Sequence, residues 1–194
     1  MQNIIDISFV LVLLGYELLL FTFISMIRTL IIYGTRKGTT ETTAQVLAET
    51  LILKHKHSVE LANIKKIRKY KKRLDEFQTI IVGSSIVYGR WKQSVLRFLK
   101  KYDFQNQHVA LFVTAGATMN KEKEYGMSRE EVRNEAIKNY IDVYRPEFLF
   151  TPIAETAFGG MVIRSGKEKF NSWNREDIES WAIHLGNIIL KKAK

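Results

Sequence analysis

The feature that most narrows what this chain can fold into is an alternation of short apolar runs with longer amphipathic stretches, sustained from residue 29 to the C-terminal end. Thr29 to Tyr33 is a β-branched run closed by Gly34, the pattern of a strand buried on both faces. Thr40 to Leu53 follows with Ala44, Leu47, Ala48 and Leu51 at helical spacing. Ser58–Ile64, Thr79–Ser84 and His108–Thr114 read as further strands, Trp91–Tyr102 as a helix carrying Val95, Leu96, Phe98 and Leu99. Glu130–Tyr144 reads as a helix stopped by Pro146, Glu147–Ile153 as a fifth strand, and Arg175–Lys192 as a closing helix. Strands apolar on both faces and separated by helices require a parallel sheet covered on both sides. Right-handed crossovers then make an α/β doubly wound fold, whose ligands lie beyond the carboxyl ends of the strands.

With 194 residues, 46% of them hydrophobic, there is room for one ordinary domain and hardly for two. The absence of cysteine excludes disulfides, thiolate metal sites and a cysteine nucleophile. His55 and His57 sit in a basic stretch and are expected at the surface; none of the four histidines has metal-ligand spacing. No Ser-His-Asp arrangement and no acid pair for hydrolysis is evident.

The loop after the first strand carries the strongest chemical signal. Gly34 and Gly38 allow sharp turns, Thr35, Thr39 and Thr40 supply hydroxyls, and the helix behind offers free N–H groups. Such a loop can hold a phosphomonoester; it is also what a threonine-rich helix cap looks like. Arg36 and Lys37 either neutralise the phosphate or point to solvent, and the reading here sends their side chains to solvent and their backbone amides to the ligand. The loop is neither a Walker loop nor a dinucleotide fingerprint.

The frame Tyr33-Gly34-Thr35-Arg36-Lys37-Gly38-Thr39-Thr40-Glu41 resembles the phosphate loop of flavodoxins. The likeness continues through Gly83 to Trp91 and Val113 to Ala117, spanning roughly residues 27–192. It implies a five-stranded sheet of order 2-1-3-4-5 and a bound flavin mononucleotide (FMN). By that resemblance the phosphate meets Thr35, Arg36, Lys37, Gly38, Thr39 and Thr40. One side of the ring meets Ser85, Ile86, Val87, Tyr88 and Gly89, with Tyr88 either stacked on it or anchoring the loop to the domain, and the other meets Thr114, Ala115 and Gly116. Within the family the chain looks most like the menaquinone-dependent protoporphyrinogen dehydrogenase group, through Met26 to Thr40 and Gly83 to Gly89. It departs from that group late in the chain: a short stretch, Arg164 to Trp173, stands where members carry a long basic, apolar insertion.

The expectation is therefore an FMN-dependent redox protein exchanging electrons or hydride with a quinone, a porphyrinogen or a partner protein. Protoporphyrinogen oxidation in haem biosynthesis is the narrower alternative, and a flavin-free interaction module of the same fold the alternative from another class. A net charge of +10, with seven cations between Lys65 and Arg73, favours an acidic redox partner or an anionic membrane surface; the same run also reads as a solvated connector. Nucleic acid is not an expected partner, since only Tyr70 interrupts that run. Residues 7–27 contain no Lys or Arg and one acid, Glu17, which suits a membrane-spanning helix as well as an upstream extension ahead of Met26. Arg28, Arg36 and Lys37 follow it, so an anchor there leaves the domain, 28–194, on the cytoplasmic face.

Overall fold

The computed structural model describes residues 26–104, 106–164 and 166–192. Residues 1–25, where most of the apolar segment falls, lie outside the described residues, and no described helix is long and apolar enough to cross a membrane. Strands β1 (Arg28–Gly34), β2 (Ser58–Asn63), β3 (Thr79–Ser85), β4 (His108–Thr114) and β5 (Ala154–Phe158) form one parallel sheet. Their order is β2-β1-β3-β4-β5, as expected. A second, antiparallel pair, β6 (Met161–Arg164) and β7 (Lys167–Asn171), follows β5. The helices are α1 (Thr39–His55), α2 (Gln93–Lys101), α3 (Gly116–Met119), α4 (Lys121–Tyr125), α5 (Arg129–Tyr140) and α6 (Arg175–Lys192).

Alternation along the inner strands divides the core into two layers. Leu30, Ile32, Ile80, Val82, Leu111 and Val113 pack against α2, α5 and the β2–β3 connector. Ile31, Ile81, Ala110 and Phe112 pack on the opposite side, against Leu47 and Leu51 of α1 and Ile178, Ala182, Leu185 and Ile189 of α6. Those helix positions recur every three or four residues, so each helix turns one apolar stripe to the sheet. Fully burying a Leu or Ile contributes roughly 1.5–3 kcal/mol, so the three inner strands hold the sheet together.

Three expectations about elements are corrected. The fifth strand is Ala154–Phe158 rather than Glu147–Ile153. Phe148 and Phe150 stack on each other at 5.4 Å, and Phe150 meets Phe104 edge-on at 5.1 Å. Pro152 has no N–H to give a ladder, and the chain joins the sheet only when Ile153 donates to the Val109 carbonyl at 2.7 Å. The helix read as Glu130–Tyr144 ends at Tyr140, and Pro146 falls in a separate 3-10 turn, Asp142–Glu147. His57, expected at the surface, is buried, with its Nδ1 against the Thr29 hydroxyl at 2.9 Å. The basic connector behaves as a solvated one: Lys65, Lys66, Arg68, Lys69, Lys71 and Lys72 are exposed, while Ile64 and Leu74 plug it into the core.

Candidate functional site

The carboxyl ends of β1, β3 and β4 converge at one end of the sheet, and a cavity of about 320 Å³ opens between the loops that leave them. It is lined from the first loop by Thr35, Arg36, Lys37, Thr39 and Thr40, from the second by Ser85, Ile86, Val87, Tyr88 and Gly89, and from the third by Thr114, Ala115 and Gly116. The three stretches singled out in the sequence thus meet at one place. Gly38 turns the chain behind the lining instead of joining it.

In the first loop, Gly38 is the N-cap of α1 with φ 93°, a left-handed conformation natural to glycine, and no side chain caps the helix. The threonine-cap reading of this loop is thereby overturned. The Thr35 hydroxyl accepts from Gly38 N at 2.8 Å, which fixes the turn and leaves the hydroxyl proton free to donate outward. The Thr40 and Thr114 hydroxyls meet at 2.7 Å in a buried bond that ties the first loop to the third. Tyr33 donates to Glu41 Oε1 at 2.5 Å, and burial together with that carboxylate pushes its phenol up to about 12. Arg36 is exposed, as expected, yet its guanidinium is engaged: it donates to the carbonyls of Ser85 and Trp91, both at 3.0 Å.

The second loop is a hairpin-like excursion. Val87 and Arg90 exchange backbone hydrogen bonds at 3.1 and 3.2 Å, and Tyr88 and Gly89 between them have φ 52° and 70°. Two positive φ angles in a two-residue turn match type I′. The turn lifts the Tyr88 side chain off the protein, 93% exposed. A tyrosine held in the left-handed region costs about 1–2 kcal/mol, so the ring stands there at the expense of stability.

The third loop is braced from behind. Ala115 N donates to the Phe158 carbonyl at 2.9 Å, and the Ser172 hydroxyl bonds the Gly116 carbonyl at 3.0 Å. Gly116 and Gly160 approach so closely that a Cβ on Gly116 would sit 2.8 Å from the Gly160 carbonyl oxygen. Through this contact the hairpin β6–β7 brings Gly160, Met161 and Val162 into the cavity wall. Thr118 and Tyr140 join them from α3 and α5, their hydroxyls 2.9 Å apart. Sequence reasoning missed these residues; Phe158-Gly159-Gly160-Met161 offered the one usable signal, glycines at a close approach.

The lining contains Arg36 and Lys37 and no carboxylate. A Cβ on Gly38 or Gly89 would meet nothing within 4 Å, so neither turn is filled by its own neighbours. An anionic, flat ligand suits this arrangement: N–H groups at the start of α1 for the anion, and a tyrosine opposite a small-residue loop for the plane. No cluster of potential metal ligands occurs among the described residues.

Comparison with known proteins agrees with this geometry. No curated protein sequence matches the chain. Among solved structures, rubredoxin oxygen:oxidoreductase from the anaerobe Desulfovibrio gigas superposes with a TM-score of 0.53 at 18% identity, over 86% of this chain and 37% of that one. Oxidised flavodoxin 2 from Bacillus cereus superposes with a TM-score of 0.53 at 16% identity, over 85% of this chain and 99% of that one. At such identities the likeness establishes the fold. The Flavodoxin domain family matches residues 30–179, from β1 into α6, and the chain belongs to that family.

Proposed function

We propose that the chain is an FMN-binding redox protein. The observation that carries this reading is the convergence of the three loops on one carboxylate-free cavity at the strand ends. Its volume of about 320 Å³ falls in the range of small-molecule sites, roughly 300–1,000 Å³.

The phosphate would rest on backbone N–H groups of Thr35, Arg36, Lys37, Thr39 and Thr40, the Gly38 N–H being held by Thr35, where the start of α1 adds about half a positive charge, with the Thr35 and Thr39 hydroxyls as donors. The ring would lie between the Tyr88 turn and Thr114-Ala115-Gly116, with Met161 and Val162 excluding water at the edge. FMN, when bound, supplies electron or hydride transfer. The protein orients the ring and sets the charge around it. With cations and no acid in the wall, negative charge on the bound group is stabilised, which favours a strong electron acceptor. An apolar quinone or an acidic partner protein fits such a mouth, and a carboxylate-bearing porphyrinogen is the narrower proposal.

The membrane-spanning reading of the apolar segment is part of the proposal: residues 7–27 would anchor the chain in a bilayer. The full chain then partitions with membranes, and a chain begun at Met26 does not.

The deciding experiment is purification of the full chain followed by absorption spectroscopy and FMN titration. A yellow protein, or stoichiometric uptake of FMN with quenching of its fluorescence, supports the reading. A colourless protein that takes up no FMN overturns it in favour of a flavin-free interaction module. Reduced porphyrin with a quinone acceptor then separates the narrower activity from general electron transfer.

A further inference from the structure

The Arg36 side chain leaves the loop that carries it and ends on the next one. Its Nη1 donates to the Ser85 carbonyl at 3.0 Å, with the Ser85 hydroxyl and the Arg90 carbonyl each at 3.4 Å, and Nη2 donates to the Trp91 carbonyl at 3.0 Å. Ser85 stands before the Tyr88-Gly89 turn and Arg90 and Trp91 after it, so the guanidinium grips both legs of the turn. The bases of the two legs are anchored elsewhere: Ile86 N donates to the Thr114 carbonyl at 3.0 Å, Lys92 N to the Ser84 hydroxyl at 3.0 Å, and the buried Trp91 indole to the Tyr140 carbonyl at 2.5 Å. The tip beyond them has less. It is closed by the single Val87–Arg90 pair, Tyr88 at its tip is 93% exposed, and both tip residues have positive φ. A short two-stranded excursion is marginal in water, and backbone in the left-handed region persists only where its surroundings fix it.

We infer that Arg36 is a positioning residue for the flavin ring, its backbone in the phosphate-side loop and its guanidinium clasping the ring-side loop in receiving shape. This rests on the FMN reading above. The chemistry of the clasp is particular to arginine. A planar fork with donors on two nitrogens can serve carbonyls on both legs at once, whereas an ammonium on one carbon stem is a point donor. The inference reverses the ordinary assignment of an arginine in a phosphate loop. A phosphate contact would act on the phosphate alone; the clasp acts on the ring.

Riboflavin, which carries the ring and lacks the phosphate, separates the two. FMN and riboflavin dissociation constants would be measured by fluorescence quenching for the full chain as wild type, Arg36→Ala and Arg36→Lys. Amide hydrogen exchange at Val87 and Arg90 would be followed in the flavin-free proteins, with Leu111 in the central strand as reference for an intact fold. The clasp predicts that both flavins weaken by the same factor, roughly tenfold, in Arg36→Ala, the scale of one hydrogen bond to a charged group. Arg36→Lys is expected to recover only a small part. Val87 and Arg90 exchange faster in both variants while Leu111 stays protected.

Loss of FMN affinity with riboflavin unchanged makes Arg36 a phosphate ligand and overturns the inference. So does unchanged exchange at Val87 and Arg90. If wild type binds neither flavin, the FMN reading falls by itself, and the exchange comparison still judges the clasp.

Discussion

Acidification should destabilise this protein through one buried imidazole before its carboxylates titrate. His57 follows α1 and is 1% exposed; its Nδ1 meets the Thr29 hydroxyl at 2.9 Å, and its Nε2 has no hydrogen-bond partner. Burial, and then the facing His55 imidazole 6.1 Å away, pull its pKa from 6.5 down to about 4. The native state therefore resists a proton that the unfolded chain accepts. Between pH 6.5 and about 4 the unfolded state binds more protons, so stability falls as pH falls, and the contribution is complete only above pH 6.5. The gap between those values, at about 1.36 kcal/mol per unit, sets a ceiling of about 3 kcal/mol for the loss. Urea unfolding of wild type and His57→Asn at intervals from pH 7.5 to 5 isolates it, since asparagine can still bond Thr29 but cannot be protonated. Wild type should lose stability faster with acidification than the variant, the two curves converging as pH drops. Parallel curves over that range would refute the reasoning, because the imidazole would then be charging freely in the folded state.

Other substitutions test the site and its supports. Tyr88→Gly should leave the fold intact or raise stability by some tenths to about 1 kcal/mol by relieving the positive φ, while weakening FMN several-fold through loss of stacking; denaturant midpoints and flavin titration read the two opposite signs. Thr40→Val leaves the Thr114 hydroxyl buried without a partner and should cost about 1–3 kcal/mol, with the Thr40→Val/Thr114→Val double variant recovering part of it in a double-mutant cycle. Gly83→Ala places a Cβ 2.0 Å from Phe112 Cζ, so it should lower the unfolding midpoint by an overpacking penalty of about 1–3 kcal/mol or more, relieved when combined with Phe112→Leu.

These tests divide along the line between what local sequence can and cannot encode. The inner strands were legible because each is buried on both faces and leaves an unbroken apolar run, as in Thr79–Ser85. The fifth strand lies at the sheet edge and reads Ala-Glu-Thr-Ala-Phe, with Glu155 engaged by Arg145; the stronger apolar run just before it belongs to an aromatic cluster. The β6–β7 pair carries exposed Lys167, Glu168 and Lys169, so no period-two pattern announced it. At the site, the turn was legible, since a glycine such as Gly38 at a strand-to-helix junction marks a change of φ within a few residues. Side-chain destinations were not. Arg36 finds Ser85 49 positions away and Thr40 finds Thr114 74 positions away, and only the sheet order brings them together. The same order that makes the cavity thus decides which loop residues face a ligand and which hold the loops, so an arginine in the phosphate loop can be spent on the ring.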